Sequence, residues 1–561
     1  MVAGRVDTNA RDKLRGGYYT PMPIARWMCG WAVRAATDRV LEPSAGDGNF
    51  LVAAAEAMRA RGTAIAEIGS QLLAVESDDI EAQKARDRLT VLLQRSARES
   101  VVCADFFEWQ EGHGNQRFNA VVGNPPFIRY QNFPEPSRTR AMLMMSRLGF
   151  RANKLTNIWV PFVAAATECL GTDGRLALVL PAELLQVSYA AQLRSHLVDH
   201  FRTVDVLACN QMIFDRAEQE VVIFLADGRL ERPSPQNRCA IDLRETQTVA
   251  ELLHSRIMPG RPRPRGKVIR HDSEKWLKYF LSASEISLMR RLREGLVVAQ
   301  LSEHASVNVG VVTGENAFFV LTRAEAKERG LSRYCVPLVG RSAQLRGAVM
   351  NAAEWESIAA EGHRACLFRV APSVNGSLSA AAQKYIEQGE RQGINKGYKC
   401  SIRTPWYCVP AVWSPHCFLF RQIYDFPRVV LNTAGATSTD TIHRMTVKGG
   451  HPAAVAANLY THLTAASSEI EGRSYGGGVL ELEPTEAERL LMPRVLHRAV
   501  PLQDADRLIR AGRLSDVLAE NDRLVLREGL GLSAKECTML RRIWERMRDR
   551  RVSRRRAAAR G

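Results

Sequence analysis

The sequence predicts an α/β protein whose first half is a doubly wound, mostly parallel sheet, and three observations carry that reading. Short β-branched runs alternate with helical patterns over about the first 225 residues, the signature of βαβ units. Tight turns follow the first and fourth strands, Pro43-Ser44-Ala45-Gly46-Asp47-Gly48 and Asn124-Pro125-Pro126. Acids stand at the ends of three successive strands, Glu42, Glu76 and Asp105, facing the crevice where open α/β sheets bind ligands.

Taken in order, Arg39 to Glu42 reads as a strand, Phe50 to Arg61 as a helix and Gln71 to Glu76 as the second strand. Ile80 to Gln94 is helical, Ser100 to Ala104 a short strand and Phe118 to Gly123 a strongly apolar one. An irregular stretch runs through Phe150, followed by a helix over Asn157 to Leu170, a strand over Arg175 to Leu180 and a helix over Ala190 to His200. Thr203 to Ala208 and Glu220 to Leu225, with no helix between them, predict an antiparallel pair at one edge of the sheet.

At 561 residues the chain exceeds what one hydrophobic core usually supports. Residues 1–235 are expected as the first domain, and the stretch 236–270, with its runs of Pro, Gly and Arg, as a linker. Residues 271–500 form a mixed α+β domain and 501–561 a helical, basic extension. With 46% hydrophobic and 24% charged residues, the composition is that of a soluble globular chain. Met1 to Gly17 is polar and no long apolar run occurs, so neither export nor membrane insertion is expected. Eleven cysteines show no CxxC pair and no Cys/His cluster at metal-ligand spacing, which predicts a reduced, cytoplasmic protein without disulfide or metal. A net charge of +17 and a pI near 9.6 point to a polyanionic partner. Ten arginines between Thr538 and Gly561 supply much of that charge, as phosphate contacts or as a solvated helix end.

The turn after Glu42 is built of small residues that let backbone approach a ligand, and it carries no phosphate-binding lysine, which disfavours a P-loop. An acid at this strand end suits a cationic ligand such as a sulfonium amino acid. Glu76 can take both hydroxyls of a ribose, and Asp105 can accept from an adenine amino group with Phe106 against the ring. Each acid taken singly is also accounted for as an exposed loop carboxylate or a helix cap.

Asn124-Pro125-Pro126-Phe127 is the sharpest signal. The adjacent prolines carry no N–H, so the loop presents acceptors outward. The Asn124 amide oxygen and the Pro125 carbonyl can then accept both hydrogens of a planar exocyclic amine. Holding them favours a pyramidal nitrogen whose lone pair attacks a methyl group, an interaction realised mainly in the transition state. Phe127 would stack on the ring, and a base so held must be flipped out of its helix.

Together these motifs resemble the gamma class of DNA amino-methyltransferases, the TaqI-like N6-adenine enzymes of restriction–modification systems. The resemblance implies a Rossmann-like class I fold, S-adenosylmethionine as cofactor and double-stranded DNA as partner. It further implies a target-recognition domain over 271–500 and, beside the chain, a separate restriction endonuclease. Gly17-Tyr18-Tyr19-Thr20-Pro21 is similar to the segment that opens the family's cofactor site, so Tyr18 and Thr20 would touch the cofactor, with Glu42 and Gly46 at its methionine part. Phe214, upstream of the last strand, would sandwich the flipped base with Phe127; a core aromatic is the other reading. Only some fifteen residues precede the cofactor segment, so a methylation-only polypeptide is expected. N4-cytosine or RNA-adenine methylation uses the same amine chemistry. Protein-glutamine methylation and an idle DNA-specificity subunit are the remaining rivals.

Overall fold

The strands of the N-terminal sheet form where apolar runs are flanked by turn residues: β1 (Val40–Glu42), β2 (Leu72–Glu76), β3 (Val101–Cys103), β4 (Phe118–Gly123), β5 (Leu170–Pro181), β6 (Phe201–Cys209), β7 (Val221–Arg229) and β8 (Ala240–Thr246). The computed structural model describes residues 19–151, 156–209, 213, 220–237, 239–255, 274–371, 378–475 and 478–558. The chain divides into two compact units, one running to Ala283 and the other formed by most of the chain from Ser284.

The strand order is β3-β2-β1-β4-β5-β7-β6-β8. β1 to β5 pair in parallel, and β7 runs antiparallel to both β5 and β6. The order reverses between β1 and β4, so the turns that follow those two strands flank the crevice of the sheet. Helices Met22–Ala32, Asn49–Ala60 and Asp79–Leu93 bury Met28, Phe50, Leu51 and Leu89 in one apolar cluster with Val40, Ala74 and Val122. Asp78 starts the third of these helices by accepting from the Ile80 and Glu81 N–H groups, both at 3.1 Å, a carboxylate N-cap.

Three expectations for this unit need correction. Residues 236–270 are not a linker throughout: β8 pairs in parallel with β6 and helix Val249–His254 follows it, whereas 256–273 lie outside the described residues. The edge of the sheet is therefore β8 and not the antiparallel pair. An edge strand has one neighbour and needs few apolar residues; β8 buries Leu243 and Thr246. The stretch before Phe150 also contains helix Ser137–Arg147, whose polar composition gives little helical periodicity.

The second unit is mixed α and β. One sheet has the order Ala305–Asn308, Ile442–Val447, Cys417–Phe420, Val429–Asn432, Val349–Met350; a four-stranded sheet includes Val320–Thr322 and Arg364–Phe368. Helix His462–Glu471 is buried along its whole length.

Within 501–561, residues 501–558 are described and largely helical as expected, but they are not an appended extension. Asp506 accepts from the Ala348 and Val349 N–H groups at 2.7 and 2.9 Å, and Arg510 pairs with Glu354. In helix Ala534–Ala558, Leu540, Ile543, Trp544 and Met547 are buried at helical spacing, and Arg551 continues their stripe. Arg551 is 2% exposed and donates to Glu469 and to the Ile423, Tyr424 and Gly478 carbonyls. Arg548 pairs with Asp425 and Arg546 with Glu285. Arg551 is thus an internal residue and Arg546 and Arg548 pair with acids of the same unit, while Arg541 and Arg542 on the same helix are exposed.

Candidate active site

The first turn is shaped by two left-handed glycines. Gly46 has φ +51°, and a Cβ there would meet the Tyr19 ring at 3.1 Å; Gly48 has φ +86°, and its Cβ would meet Ala85 Cα at 3.0 Å. Glu76 fixes this turn from β2: one carboxylate oxygen accepts from the Gly46 N–H at 2.8 Å, the other from the Asp78 N–H at 2.9 Å. Arg88 secures it from below, donating to the Asp47 carbonyl at 2.8 Å and to Asn49 Oδ1 at 2.7 Å and pairing with the Asp47 carboxylate. Asn49 in turn donates to the Thr20 carbonyl at 3.1 Å, which ties the segment before the first helix to the same turn.

Beneath it lies a cavity of about 600 Å³, within the range of roughly 300–1,000 Å³ typical of small-molecule sites. Thr20, Glu42, Gly46, Glu76, Asp105 and Phe106 all line it, and Asn124 stands at its border. Glu42 is 1% exposed and its Oε2 has no hydrogen-bond partner; the equally buried Thr20 hydroxyl has none either. Burial pushes the Glu42 carboxyl well above the usual carboxylate range, and the nearby Asp47 and Glu76 raise it further. Asp47 is raised by its own burial, against the pull of Arg88. The cavity thus concentrates acids, Glu42 among them with one oxygen unpartnered.

Asp105 is both a helix cap and a cavity residue. One carboxylate oxygen accepts from the Glu108 N–H at 3.0 Å at the start of helix Phe106–Gly112. Phe106 packs on Phe162 with ring centroids 5.0 Å apart and planes tilted by 30°.

The Asn124 loop joins this cavity through Ser44, whose hydroxyl donates to the Asn124 backbone carbonyl at 3.1 Å. Downstream, the Ile158 N–H donates to the Ile128 carbonyl at 3.0 Å. Pro125 is buried and Phe127 half-buried, packed against the core cluster, and neither lines the cavity. Asn124, Pro126 and Ile128 are the loop residues that line it. Tyr18 and Phe214 lie outside the described residues.

Sequence reasoning missed Arg88, Ser44, Phe162 and Phe133, the last of which also lines the cavity. Arg88 sits mid-helix, where an arginine reads as solvated surface, and the other three gain meaning only from what the fold brings beside them.

Residues 6–254 match the family model described as N-6 DNA Methylase, and residues 273–526 match that of the Type II methyltransferase M.Eco57I, C-terminal domain. The chain is similar to Type II methyltransferase M.AccI of Acinetobacter calcoaceticus, 22% identical over 493 residues, covering 85% of this chain and 84% of that one. It is also similar to Type II methyltransferase M.XamI of Xanthomonas campestris pv. amaranthicola, 26% identical over 497 residues, covering 85% of each. Among solved structures, the Type IIL restriction–modification enzyme MmeI in complex with DNA shares the fold, with a TM-score of 0.55 and 12% identity over 94% of this chain and 75% of that one.

Proposed function

We propose that this chain, an N-6 DNA methylase joined to the C-terminal domain of a Type II restriction–modification methyltransferase, transfers a methyl group from S-adenosylmethionine to the N6 amino group of a flipped adenine in duplex DNA. The observation that carries the reading is the acid-lined cavity ending on Asn124: a buried carboxylate oxygen and a buried hydroxyl without partners, beside a loop of acceptors.

The residues fit that cofactor. Glu42 offers a buried anion to a ligand carrying ammonium and sulfonium charge, and Thr20 a spare hydroxyl. Glu76 retains acceptor capacity on both oxygens for ribose hydroxyls, and Asp105 keeps one oxygen for an adenine amine beside Phe106. When bound, S-adenosylmethionine supplies an electrophilic methyl group on a cationic sulfur. The protein's task is then to raise the nucleophilicity of an aryl amine. The Asn124 side-chain oxygen and the Pro125 carbonyl accept its two hydrogens, localising the nitrogen lone pair, while Phe127 offers its ring to the flipped base. Ser44 holds the Asn124 backbone from the cofactor turn, so the cofactor site and the amine site share one rigid support.

A methyl group delivered from labelled S-adenosylmethionine to duplex DNA, and recovered as N6-methyladenine after digestion to nucleosides, is the expected result. Recovery as N4-methylcytosine, or transfer only to RNA, would replace adenine in DNA as the target. A restriction endonuclease recognising the same sequence is the proposed partner.

Glu42→Gln gives a second expectation. A carboxyl held above its unfolded value favours the folded state fully only below the ordinary carboxylate range, and that advantage is lost as pH rises through the folded value. The ligand-free Gln variant should therefore melt above the wild type, with a gap that opens as pH climbs past the ordinary range. Its affinity for S-adenosylmethionine should fall about tenfold or more, because an anion facing a desolvated cation is removed. Thermal melts across pH with calorimetric titration check both; unchanged affinity would remove Glu42 from the cofactor site.

A further inference from the structure

Away from the Asn124 cavity, Glu168, His196 and His200 bring one ligand atom each to within 4.8 Å of one another, the only such cluster among the described residues. We propose that these three side chains bind a divalent transition-metal ion, with zinc the ion their chemistry suits best. Two imidazoles and one carboxylate are a zinc ligand set, and on a tetrahedral ion their donor atoms would stand roughly 3.3–3.5 Å apart. A contraction of about an ångström on binding is within the reach of side chains.

The geometry follows from two helices. His196 and His200 are four residues apart on helix Ala191–His200 and share a face, with ring centroids 3.8 Å apart. Glu168 closes helix Trp159–Glu168, and its Oε1 is 3.6 Å from His200 Nε2. His200 Nδ1 lies 2.7 Å from the His196 carbonyl; donation there fixes the tautomer with its lone pair on Nε2, as the outer partners of metal-bound histidines do. His196 is 9% exposed, and its Nε2 is buried without a hydrogen-bond partner. An orphaned imidazole nitrogen inside a protein is costly, and a metal ion turns it into a bond.

Two neighbours bear on the charge balance. Arg229 Nη2 stands 3.7 Å from Glu168 Oε2, and its Nε donates to the Thr167 carbonyl at 3.1 Å, so it anchors one carboxylate oxygen and leaves Oε1 toward His200. Asp199 lines, with both histidines, an adjoining cavity of about 430 Å³ that gives an ion a path in and room for a water as fourth ligand. The ion would clamp two helix ends, one just before β5 at Leu170 and the other just before β6 at Phe201.

The full chain, stripped with chelator and desalted, should take up zinc in a one-to-one ratio at micromolar concentration. It should melt at higher temperature with zinc, and with cobalt(II) show the visible absorption of a tetrahedral nitrogen–oxygen site. His200→Gln and Glu168→Gln should each weaken zinc roughly a hundredfold, and His196→Gln/His200→Gln should abolish uptake. Should the double variant fail to fold by circular dichroism, the half-buried His200→Gln alone decides. No uptake at micromolar zinc, or uptake unchanged in His200→Gln, would overturn the proposal. Because metal content and melting are read without methyl transfer, the outcome is independent of the function proposed above.

Discussion

Asn124→Ala is expected to lower the rate of methyl transfer roughly 10²–10³-fold or more while leaving S-adenosylmethionine affinity nearly unchanged. In the proposed mechanism the Asn124 side-chain oxygen acts on the amine as positive charge moves onto nitrogen, so its removal affects the transition state far more than the ground state. Ser44 holds the backbone carbonyl of Asn124 and not its side chain, so the loop keeps its anchor in the variant. Single-turnover transfer to duplex DNA, with cofactor affinity measured in parallel by calorimetry, separates the two quantities. An equal loss in both would mean that Asn124 shapes the cavity and does not hold the amine.

Arg551→Ala should destabilise the second unit by about 3–5 kcal/mol, the cost of leaving a buried charge without its partner. Glu469 is 3% exposed, accepts from Arg551 at 2.6 and 3.2 Å, and would be stranded together with three backbone carbonyls. For a unit of this size the melting temperature should fall by roughly 6–20 °C. Arg541→Ala is the control: that side chain is exposed and 3.7 Å from Glu545, a surface pair worth about 0.5 kcal/mol or less. Removing both charges, as in Arg551→Met with Glu469→Leu, should recover most of the loss, because no buried charge then lacks a partner. A melt unchanged in Arg551→Ala would mean the buried pair contributes nothing net.

These two residues mark the range of what was readable. Asn124 was legible because two prolines after an apolar strand have few structural explanations, and the proton-accepting geometry follows from the absent N–H groups. Arg551 was not, since an arginine among ten in a basic tail carries no local sign of burial. Only the alignment of Leu540, Ile543 and Met547 on one helix face, against an acid 82 residues away, turns it inward. His196 and His200 lie between these cases. Their spacing is visible in the chain, yet the cluster is not, because Glu168, the third residue of the proposed site, is separated by 28 residues and brought near by a helix end.

The sequence by itself determined the order of strands β1 to β7, the acids at the strand ends and the Asn124 turn, because each depends on residues adjacent in the chain: turn sterics, side-chain period and backbone donor count. Tertiary structure decided what distant segments do to one another. It made β8 the sheet edge, Ser44 the support of the Asn124 carbonyl, Glu42 an acid held above its usual range, and Arg551 an internal residue. Burial and electrostatic pairing are set by neighbours in space, and no local pattern encodes which acid or carbonyl will stand across a packed core.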